Sequence, residues 1–250
     1  MSGAALWCRR LAIFALLVGG VGVLLTRFRF VEVPAGLAVL ASAIVLDLVA
    51  LLLAGAACVS MWRTARRGVG PVIVGTVLAA ALLAWPSWLA VQALRLPVIN
   101  DVSTDTLDPP AFSRSRTAVA VRNGRVPPTT PADYPPLQRA AYPDVQPILV
   151  ELDADEAFAI ALKAAQNRGW LIVDRSAPSS GRSGLGHIDA VDRTLVMGIP
   201  EDITIRIKPL AAQTKIDVRS TSRYGRNDFG GNAKRIIAFS QELQAQLDTK

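Results

Sequence analysis

Polar and charged side chains gather around three glycines in one short stretch, residues 219–235, which separates a strand-like pattern from a helix-like pattern near the C-terminus. Asp228 or Asn227 can cap the following helix, and Gly230 and Gly231 leave the amide groups of its first turn open to an anion. Arginine suits phosphate or carboxylate, because its planar guanidinium donates two parallel hydrogen bonds. The stretch therefore indicates either a single-anion pocket or a helix cap with surface ion pairs. The arginines that can surround the pocket are Arg219, Arg223, Arg226 and Arg235, and the residues predicted to bind the ligand are Arg219, Ser220, Ser222, Arg223, Asp228, Asn232 and Arg235, together with Asn100 and Asp101.

Serine, histidine and carboxylate groups are also present, but their spacing forms no strong catalytic motif. His187 is the only histidine, so a Ser-His-Asp site would depend on it alone. Residues 179–186 contain glycines and serines but no P-loop lysine, and they lead into a strand, which argues against nucleotide binding. We therefore predict no cofactor and no metal site. The enzymatic alternative is a hydrolase that uses Asp101 and Asp228 with Ser220 or Ser222.

One carboxylate, Asp47, lies near the middle of a long apolar run. An ionised carboxylate at the centre of a membrane helix costs roughly 2.5–3.5 kcal/mol on insertion scales. Asp47 therefore indicates either a function, such as a role in a small transport subunit, or a protonated acid that is hydrogen-bonded to Thr76 or to a backbone carbonyl of a neighbouring helix. Proton relays usually use a second titratable group within the membrane, and the apolar runs of this chain offer none.

The composition indicates that part of the chain lies in lipid. Hydrophobic residues make up 51% of the 250 residues, more than in an ordinary soluble domain. The formal charge of +7 is unevenly divided: residues 1–97 contain eight arginines against Glu32 and Asp47, a net +6, and residues 98–250 contain 19 basic against 18 acidic residues, a net +1. The basic excess thus flanks the apolar segments, and the remainder is too neutral to indicate nucleic-acid binding.

Three apolar runs predict three transmembrane helices within residues 1–97, at about residues 7–26, 35–59 and 69–91. Each run reaches the roughly 20 residues that a helix needs to cross a hydrocarbon core about 30 Å thick. The N-terminus and the 60–68 loop contain five arginines and the opposite side contains three, so the positive-inside rule predicts a cytoplasmic N-terminus. An odd number of spans then predicts a C-terminal part in the periplasm, outside a bacterial inner membrane.

A proline-rich segment, residues 98–145, follows the last predicted span. Ten of the sixteen prolines of the chain lie from Pro97 to Pro147. Because proline removes a hydrogen-bond donor and restricts the preceding residue, we predict an extended linker with neither a helix nor a central strand. Two pieces that mix apolar and turn-forming residues, 99–105 and 141–145, are expected to contact the folded domain, with a mobile part between them.

Alternating and helical patterns over residues 146–250 predict one α+β domain, which we expect in the periplasm. A capping pattern at Asp153 and Glu156 begins one helix, and a second helix covers about residues 231–247. Period-two alternation of isoleucine with polar residues, as at 203–207, indicates antiparallel strands with one buried face. The element order β-α-β-β-β-β-α therefore predicts an antiparallel sheet of about four to five strands with both helices on one face.

Several short motifs occur in the order typical of one known family. They are NDVSTD at residues 100–105, PPAF at 109–112, YPD at 142–144, GW at 169–170, IDA at 188–190, RSTSR at 219–223 and DFGGNAKRI at 228–236. With these motifs, residues 98–247 resemble the domain-of-unknown-function 1499 family of bacterial envelope proteins. The resemblance implies N-terminal membrane segments, in agreement with the apolar runs, and it brings no established reaction, cofactor or catalytic residue. It marks the same polar stretches that the chemistry selected.

These observations together predict a membrane-anchored binding or accessory module of the cell envelope. Its expected ligand at the 219–235 corner is an anionic lipid head group or a protein partner. The lipid bilayer is the other expected partner, and no nucleic acid is expected. An envelope hydrolase and a transport subunit that works through Asp47 stay open as alternatives.

Overall fold

The computed structural model describes residues 2–65, 67–180 and 184–248. The chain forms two units, residues 1–91 with 195–199 and residues 92–194 with 200–250. The first unit contains long apolar helices, and the second contains a β-sheet with its covering helices.

Three long helices occupy the N-terminal region: α1 (Gly3–Arg27), α2 (Val33–Thr64) and α3 (Val69–Arg95). They have 25, 32 and 27 residues, and each is long and apolar enough to span a membrane. The prediction of three long apolar N-terminal helices is confirmed, although the helices extend beyond the predicted apolar runs. The extra turns, such as residues 60–64, include polar side chains, which a helix can carry beyond the hydrocarbon core.

Small side chains form the contact between α1 and α2. The buried residues of each helix recur at alternating steps of three and four, so they lie along one helix face. Glycine is required at two positions, because a Cβ on Gly22 would lie 2.6 Å from Val39 and one on Gly36 would lie 1.8 Å from the Thr26 hydroxyl oxygen. Such residues let two backbones approach closely, which stabilises helix pairs in lipid. This seam consists of Ala5, Cys8, Ala12, Ala15, Gly19, Gly22 and Thr26 in α1 and of Gly36, Leu40, Ala43, Asp47, Ala50, Ala54 and Ala57 in α2.

The second unit is built around a six-stranded antiparallel sheet. Its strands are β1 (Asp101–Ser103), β2 (Ile148–Val150), β3 (Leu171–Ser176), β4 (Gly186–Arg193), β5 (Pro200–Pro209) and β6 (Thr214–Ser222). Their order is β1-β6-β5-β4-β3, and β2 also pairs with β6. β1 pairs with residues 219–221 and β2 with residues 214–216, so these two short strands share one edge of β6. The predicted α+β architecture is confirmed, but the predicted four to five strands become six because β1 joins the sheet.

The proline-rich segment contains two short helices, α4 (Arg116–Val121) and α5 (Tyr134–Ala141), in addition to β1. The prediction of an extended linker without helices is therefore wrong. Ser115 caps α4 by accepting a hydrogen bond from the Ala118 amide at 3.2 Å, and α4 falls in a stretch without proline. The prolines of α5 lie in its first turn, where a missing amide donor costs little. The division of the chain at residues 97 and 145 stays a prediction.

Two longer helices, α6 (Ala154–Asn167) and α7 (Gly231–Asp248), pack on one apolar face of the sheet, as predicted. Asp153 caps α6 by accepting a hydrogen bond from the Glu156 amide at 2.9 Å. Trp170, just after α6, stacks on Phe239 of α7 with 5.3 Å between the ring centroids. The sheet contributes alternate residues of its central strands to this core, including Ile203, Ile205, Ile207, Ile216 and Val218.

The opposite face of the sheet is polar, and residues 104–130, which we name the strap, lie across it. The strand pairing makes Asp189, Thr204 and Arg219 cross-strand neighbours on this face, and all three are buried. The strap contacts one of these residues through the Ser113 amide, which donates a hydrogen bond to Asp189 at 2.9 Å. The part of the linker that was expected to be mobile is thus in contact with the sheet.

Candidate functional site

The corner between β6 and α7 is where the sequence predicts an anion site, and a carboxylate of the chain itself occupies the first turn of α7. Asp228 accepts hydrogen bonds from the Gly230 amide at 3.0 Å and from the Asn232 amide at 2.7 Å. Gly230 has a φ of +78°, a left-handed conformation that glycine adopts without strain. Burial raises the pKa of Asp228, and the amide hydrogen bonds and the charge of Arg235 act in the opposite direction. The geometry of this helix end is that of an N-terminal cap.

Asn232, which is fully buried at the start of α7, connects this cap to β6. Its side-chain oxygen accepts a hydrogen bond from the Ser220 hydroxyl at 2.8 Å and another from Arg235 at 2.9 Å. Its side-chain nitrogen donates to the Ser222 hydroxyl oxygen at 3.1 Å and to the Asn100 carbonyl at 3.1 Å. Six of the predicted ligand residues therefore form one group, the corner cluster, which consists of Asn100, Ser220, Ser222, Asp228, Asn232 and Arg235.

Glu201 is a buried carboxyl next to the corner cluster that the sequence analysis did not single out. It lies opposite Ser222 in the strand pairing, and 6% of its surface is exposed. Burial raises the pKa of Glu201 to about 7, against the opposing effects of the Arg235 charge and of Ser222. Within the described part of the chain, its Oε2 atom has no hydrogen-bond partner. The alternation of Glu201 with Ile203 and Ile205 is the signal that would have placed it on the apolar face.

Arg219 and Arg223 point away from the corner cluster, toward the polar face of the sheet. Arg219 makes two hydrogen bonds to Asp101, at 2.9 and 2.6 Å. Arg223 makes two to Asp202, at 2.9 and 2.7 Å. Arg235 instead lies in the corner cluster. The structure therefore does not bring Arg223 and Arg235 together around one anion.

The residues of the hydrolase alternative are also separated. Asp101 pairs with Arg219 on the polar face, whereas Asp228 caps α7 on the other side of β6. Among the residues that the structure describes, no hydrogen bond joins either carboxylate to Ser220 or Ser222. The arrangement thus offers no pairing of a serine nucleophile with one of these carboxylates as its base.

Ion pairs join the strap to the polar face of the sheet. Arg122, which is fully buried, pairs with Asp189, and Lys215 pairs with Asp105 of the strap at 2.6 Å. Burial acts to raise the pKa of Asp189, but the contacts with His187 and Arg122 outweigh it and hold the pKa below its ordinary value. These charged contacts join the strap to the sheet, in addition to the buried side chains of Phe112 and Ala118. Further pairs on this face are Arg122 with Asp202, Arg206 with Asp108 and Asp217, and Lys215 with Asp217.

His187 lies among carboxylates and serines on the polar face. Its Nε2 atom is 2.8 Å from Asp189 Oδ1. The nearby Ser113 hydroxyl donates its hydrogen bond to Asp174 instead of to the histidine. In the described ranges, no hydrogen bond joins a serine hydroxyl to His187, so the serine–histidine pair of a hydrolase is not assembled there.

The Gly/Ser loop at residues 179–186 lies partly outside the described residues, at 181–183. Its first residue, Ser179, donates a hydrogen bond from its hydroxyl to Asp155 of α6 at 2.9 Å. The loop leads into β4, which begins at Gly186, as the sequence predicted.

Asp47 lies in the seam between α1 and α2. It is fully buried, and neither carboxyl oxygen has a hydrogen-bond partner in the part of the chain that the structure describes. The hydrogen bond predicted as one alternative, to Thr76 or to a backbone carbonyl, is therefore not formed, and Thr76 is exposed. The functional alternative for Asp47 stays a prediction.

A separate set of arginines is exposed. Residues 109–132 contain four arginines and no acidic residue, and only Arg122 among them is buried. Arg125 lies over the ring of Tyr224, with its guanidinium carbon 5.7 Å from the ring centroid. In the described chain no carboxylate forms an ion pair with the exposed arginine group, which consists of Arg114, Arg116, Arg125 and Arg226.

The match to a protein family covers most of these features. No curated protein matches the chain. Residues 101–243 match the family described as protein of unknown function, DUF1499. This range begins at β1, ends within α7 and covers more than half of the 250 residues, so it contains the strap, the polar face and nearly all of the corner cluster. The chain therefore belongs to the DUF1499 family, as the resemblance of its motifs predicted.

Proposed function

We propose that this protein is a binding and accessory module of the bacterial cell envelope, anchored in the inner membrane by three helices, whose periplasmic domain binds anionic lipid head groups. Three helices are long and apolar enough to span a membrane. The five arginines on the N-terminal side of the predicted spans, against three on the other side, favour a cytoplasmic N-terminus. With three spans, the second unit then lies in the periplasm.

The exposed arginine group is the observation that carries this proposal. The charges of the buried arginines are neutralised, because each of them pairs with an aspartate. In contrast, the exposed arginine group has no ion-pair partner in the described residues, and the sequence around three of its members, residues 109–132, contains no acidic residue. Its positive charge therefore acts on a partner outside the domain. The paired arginines are Arg122, Arg206, Arg219, Arg223 and Arg235.

Phosphate head groups match this surface, because a guanidinium donates paired hydrogen bonds to phosphate oxygens. A basic residue near an anionic membrane contributes about 1 kcal/mol, so four of them contribute about 4 kcal/mol, or roughly a thousandfold in affinity. This attraction falls as salt is added, because the Debye length shortens to about 8 Å at physiological ionic strength. Of the predicted 219–235 corner, Arg226 is the arginine that belongs to this surface.

The test measures binding between two membranes. The full chain is reconstituted in nanodiscs of zwitterionic lipid and mixed with separate vesicles rich in phosphatidylglycerol, and co-sedimentation gives the affinity. Replacing all four exposed arginines with glutamine is expected to weaken binding by about 100-fold or more. The matched control removes the same charge from exposed positions elsewhere in the domain, at Lys163, Arg168, Arg175 and Lys208, and is expected to weaken binding less than threefold.

Equal losses in the two variants would contradict the proposal, because only net charge would then matter. Wild-type binding that does not depend on the anionic lipid would contradict it as well. If an acidic periplasmic protein competes with the vesicles at the same arginines and binds more tightly, the same surface belongs to the protein partner that is the other expected ligand.

A further inference from the structure

An apolar groove of about 360 Å³ lies between α1 and α2, next to the turn that joins them. Its volume falls within the range of small-molecule sites, about 300–1,000 Å³. We propose that this groove binds one acyl chain of a phospholipid and that Arg29 binds the phosphate of the same lipid. The lining residues are Leu17, Val18, Val21, Gly22 and Leu25 of α1, with Val31, Ala35 and Val39.

Small residues at the contact of the two helices create the groove. Gly22 has no side chain, and a Cβ there would lie 2.6 Å from Val39, so the helices touch at this point and form the floor of the groove. Ala35 contributes only a methyl group to the lining, whereas Leu17 and Leu25 contribute larger side chains on the α1 side. The result is a channel along the helix pair instead of a flat surface.

The dimensions and the exposure of the groove point to a lipid chain. From Leu17 to Leu25 the groove runs along eight helical steps, about 12 Å of helix, which is less than half of a hydrocarbon core about 30 Å thick. Leu17 is 61% exposed and Val21 is 53% exposed, so their outer sides meet the surroundings of the helix pair. In a bilayer those surroundings are acyl chains. The occupant is therefore a chain from one leaflet, the leaflet that faces the α1–α2 turn.

The turn at the end of the groove supplies the charge for a head group. Arg29 is exposed in this turn, and it has no ion pair in the described part of the chain; Glu32, also exposed, is the acidic residue of the same turn. An arginine guanidinium can donate two hydrogen bonds to one phosphate. Phe28 and Phe30, which flank Arg29, are exposed and suit the boundary between head groups and acyl chains. A chain in the groove thus has a phosphate-binding side chain at its polar end.

Photo-crosslinking in lipid vesicles tests where the chain lies. The full protein is reconstituted with a phospholipid that has a diazirine on one acyl chain, irradiated, and mapped by peptide mass spectrometry. We expect crosslinks to concentrate on the groove lining over equally exposed apolar positions elsewhere, such as Leu52, which is 75% exposed on α2. Crosslinks that follow exposure alone, with Leu52 labelled as strongly as Leu17, would overturn the site.

Two substitutions separate the acyl chain from the head group. Ala35→Trp fills the groove and is expected to lower crosslinking at Leu17 at least fivefold, whereas the matched control Leu52→Trp on the same helix leaves it unchanged. Arg29→Gln is expected to lower crosslinking by the phospholipid but not by a diazirine fatty alcohol, which has no phosphate. Unchanged labelling in Ala35→Trp overturns the acyl site, and unchanged phospholipid labelling in Arg29→Gln overturns the role of Arg29. A circular dichroism spectrum equal to that of the wild type confirms that each variant is folded.

Discussion

Several charged residues of the second unit form buried ion pairs within the domain. Arg219 and Asp101 are 118 residues apart and meet through two hydrogen bonds, which connects β6 to β1. Phe112 of the strap lies beneath the guanidinium groups of Arg122 and Arg219, with centroid distances of 5.0 and 5.1 Å. Removing one partner of a buried pair costs about 3–5 kcal/mol, because the other charge is left without a counterion. The side chains that suggested a ligand site thus hold the sheet and the strap together.

The raised pKa of Glu201 makes the stability of the domain depend on pH. The folded chain binds the Glu201 proton more tightly than the unfolded chain, because burial raises the pKa from 4.5 to about 7. Its contribution to stability is therefore fully present below about pH 4.5 and is lost as the pH rises to about 7. We expect Glu201→Gln to remove the Glu201 part of this dependence, while the part from the raised pKa of Asp228 remains, and to stabilise the domain above pH 7 by at most about 3 kcal/mol. Hydrogen exchange of the β5 and β6 amides in the full chain, corrected for the intrinsic rate at each pH, measures the effect.

The control for this experiment is Glu151→Gln, which removes an exposed carboxyl of the same type. Asp105, Asp174 and Asp189 have lowered pKa values, so their contribution is lost only as the pH falls below about 3.8 and does not overlap the Glu201 window. A Glu201→Gln variant whose exchange protection keeps the wild-type slope between pH 4.5 and 7 would show that Glu201 ionises freely in the folded chain.

At the scale of elements, local signals in the sequence predicted the strands and the long helices. The position of the strap instead depends on contacts with residues far along the chain. The Asp153 cap and the isoleucine alternation of β5 are visible within a few residues, so the elements that they mark were predicted correctly. The strap depends on partners far along the chain, such as Asp105 with Lys215, which are 110 residues apart. Proline content alone therefore suggested a free linker. No pattern within the strap itself shows that buried carboxylates of the sheet, such as Asp189, will bind it.

The positions of the candidate ligand residues followed the sequence pattern only in part, and their role as a site stays a prediction. Ser220, Asn232 and Asp228 were chosen by type and do lie together. The alternation of β6, which is visible in the sequence, sends Arg219 to the opposite face from Ser220, and Arg223 follows it. Residues that are close along a strand need not share a face, because successive side chains point to opposite sides of the sheet. The corner therefore contains fewer free cations than its composition suggests.

The composition of the seam between α1 and α2 leads to a prediction for the replacement of Asp47. All other seam residues of α2 are alanine, glycine or leucine, and Asp47 is buried with no partner for its carboxyl group in the described residues. Asp47→Ala removes this unsatisfied group and keeps the pattern of small residues, so we expect it to stabilise the helix pair by about 1–3 kcal/mol. The difference is measured by unfolding the full chain with increasing concentrations of a denaturing detergent and following the helix signal in circular dichroism.

Asp47→Asn is the matched control, because it keeps a buried polar group of nearly the same size and is expected to bring little gain. If Asp47→Ala instead destabilises the helix pair, the carboxyl has a partner in the membrane. A variant that is more stable but inactive in the cell would favour the transport alternative, because residues under functional constraint in a membrane often cost stability.

At the scale of the whole molecule, most of the net positive charge lies in the N-terminal part of the chain. The N-terminal 97 residues have a net charge of +6, all of it from arginines that flank apolar segments, whereas the remaining residues have a net charge of +1. The domain can still present exposed positive charge, because buried aspartates, Asp101, Asp189, Asp202 and Asp217, pair with other arginines and not with the exposed arginine group. A nearly neutral domain can thus attract an anionic surface through its exposed, unpaired arginines.

The same distribution of arginines predicts the membrane orientation and a way to disturb it. A reporter that is active only in the periplasm, fused after Lys250, is expected to be active in the wild-type chain. Replacing Arg9 and Arg10 with glutamine lowers the count on the predicted cytoplasmic side from five arginines to three, equal to the count on the other side, so we expect a mixed orientation with reporter activity near half. Replacing Arg27 and Arg29 with glutamine removes the same charge from the opposite side and should leave the activity unchanged. A wild-type fusion that is silent, while a reporter active only in the cytoplasm works at the same position, would reverse the orientation and remove the periplasmic lipid surface as the target of the exposed arginine group.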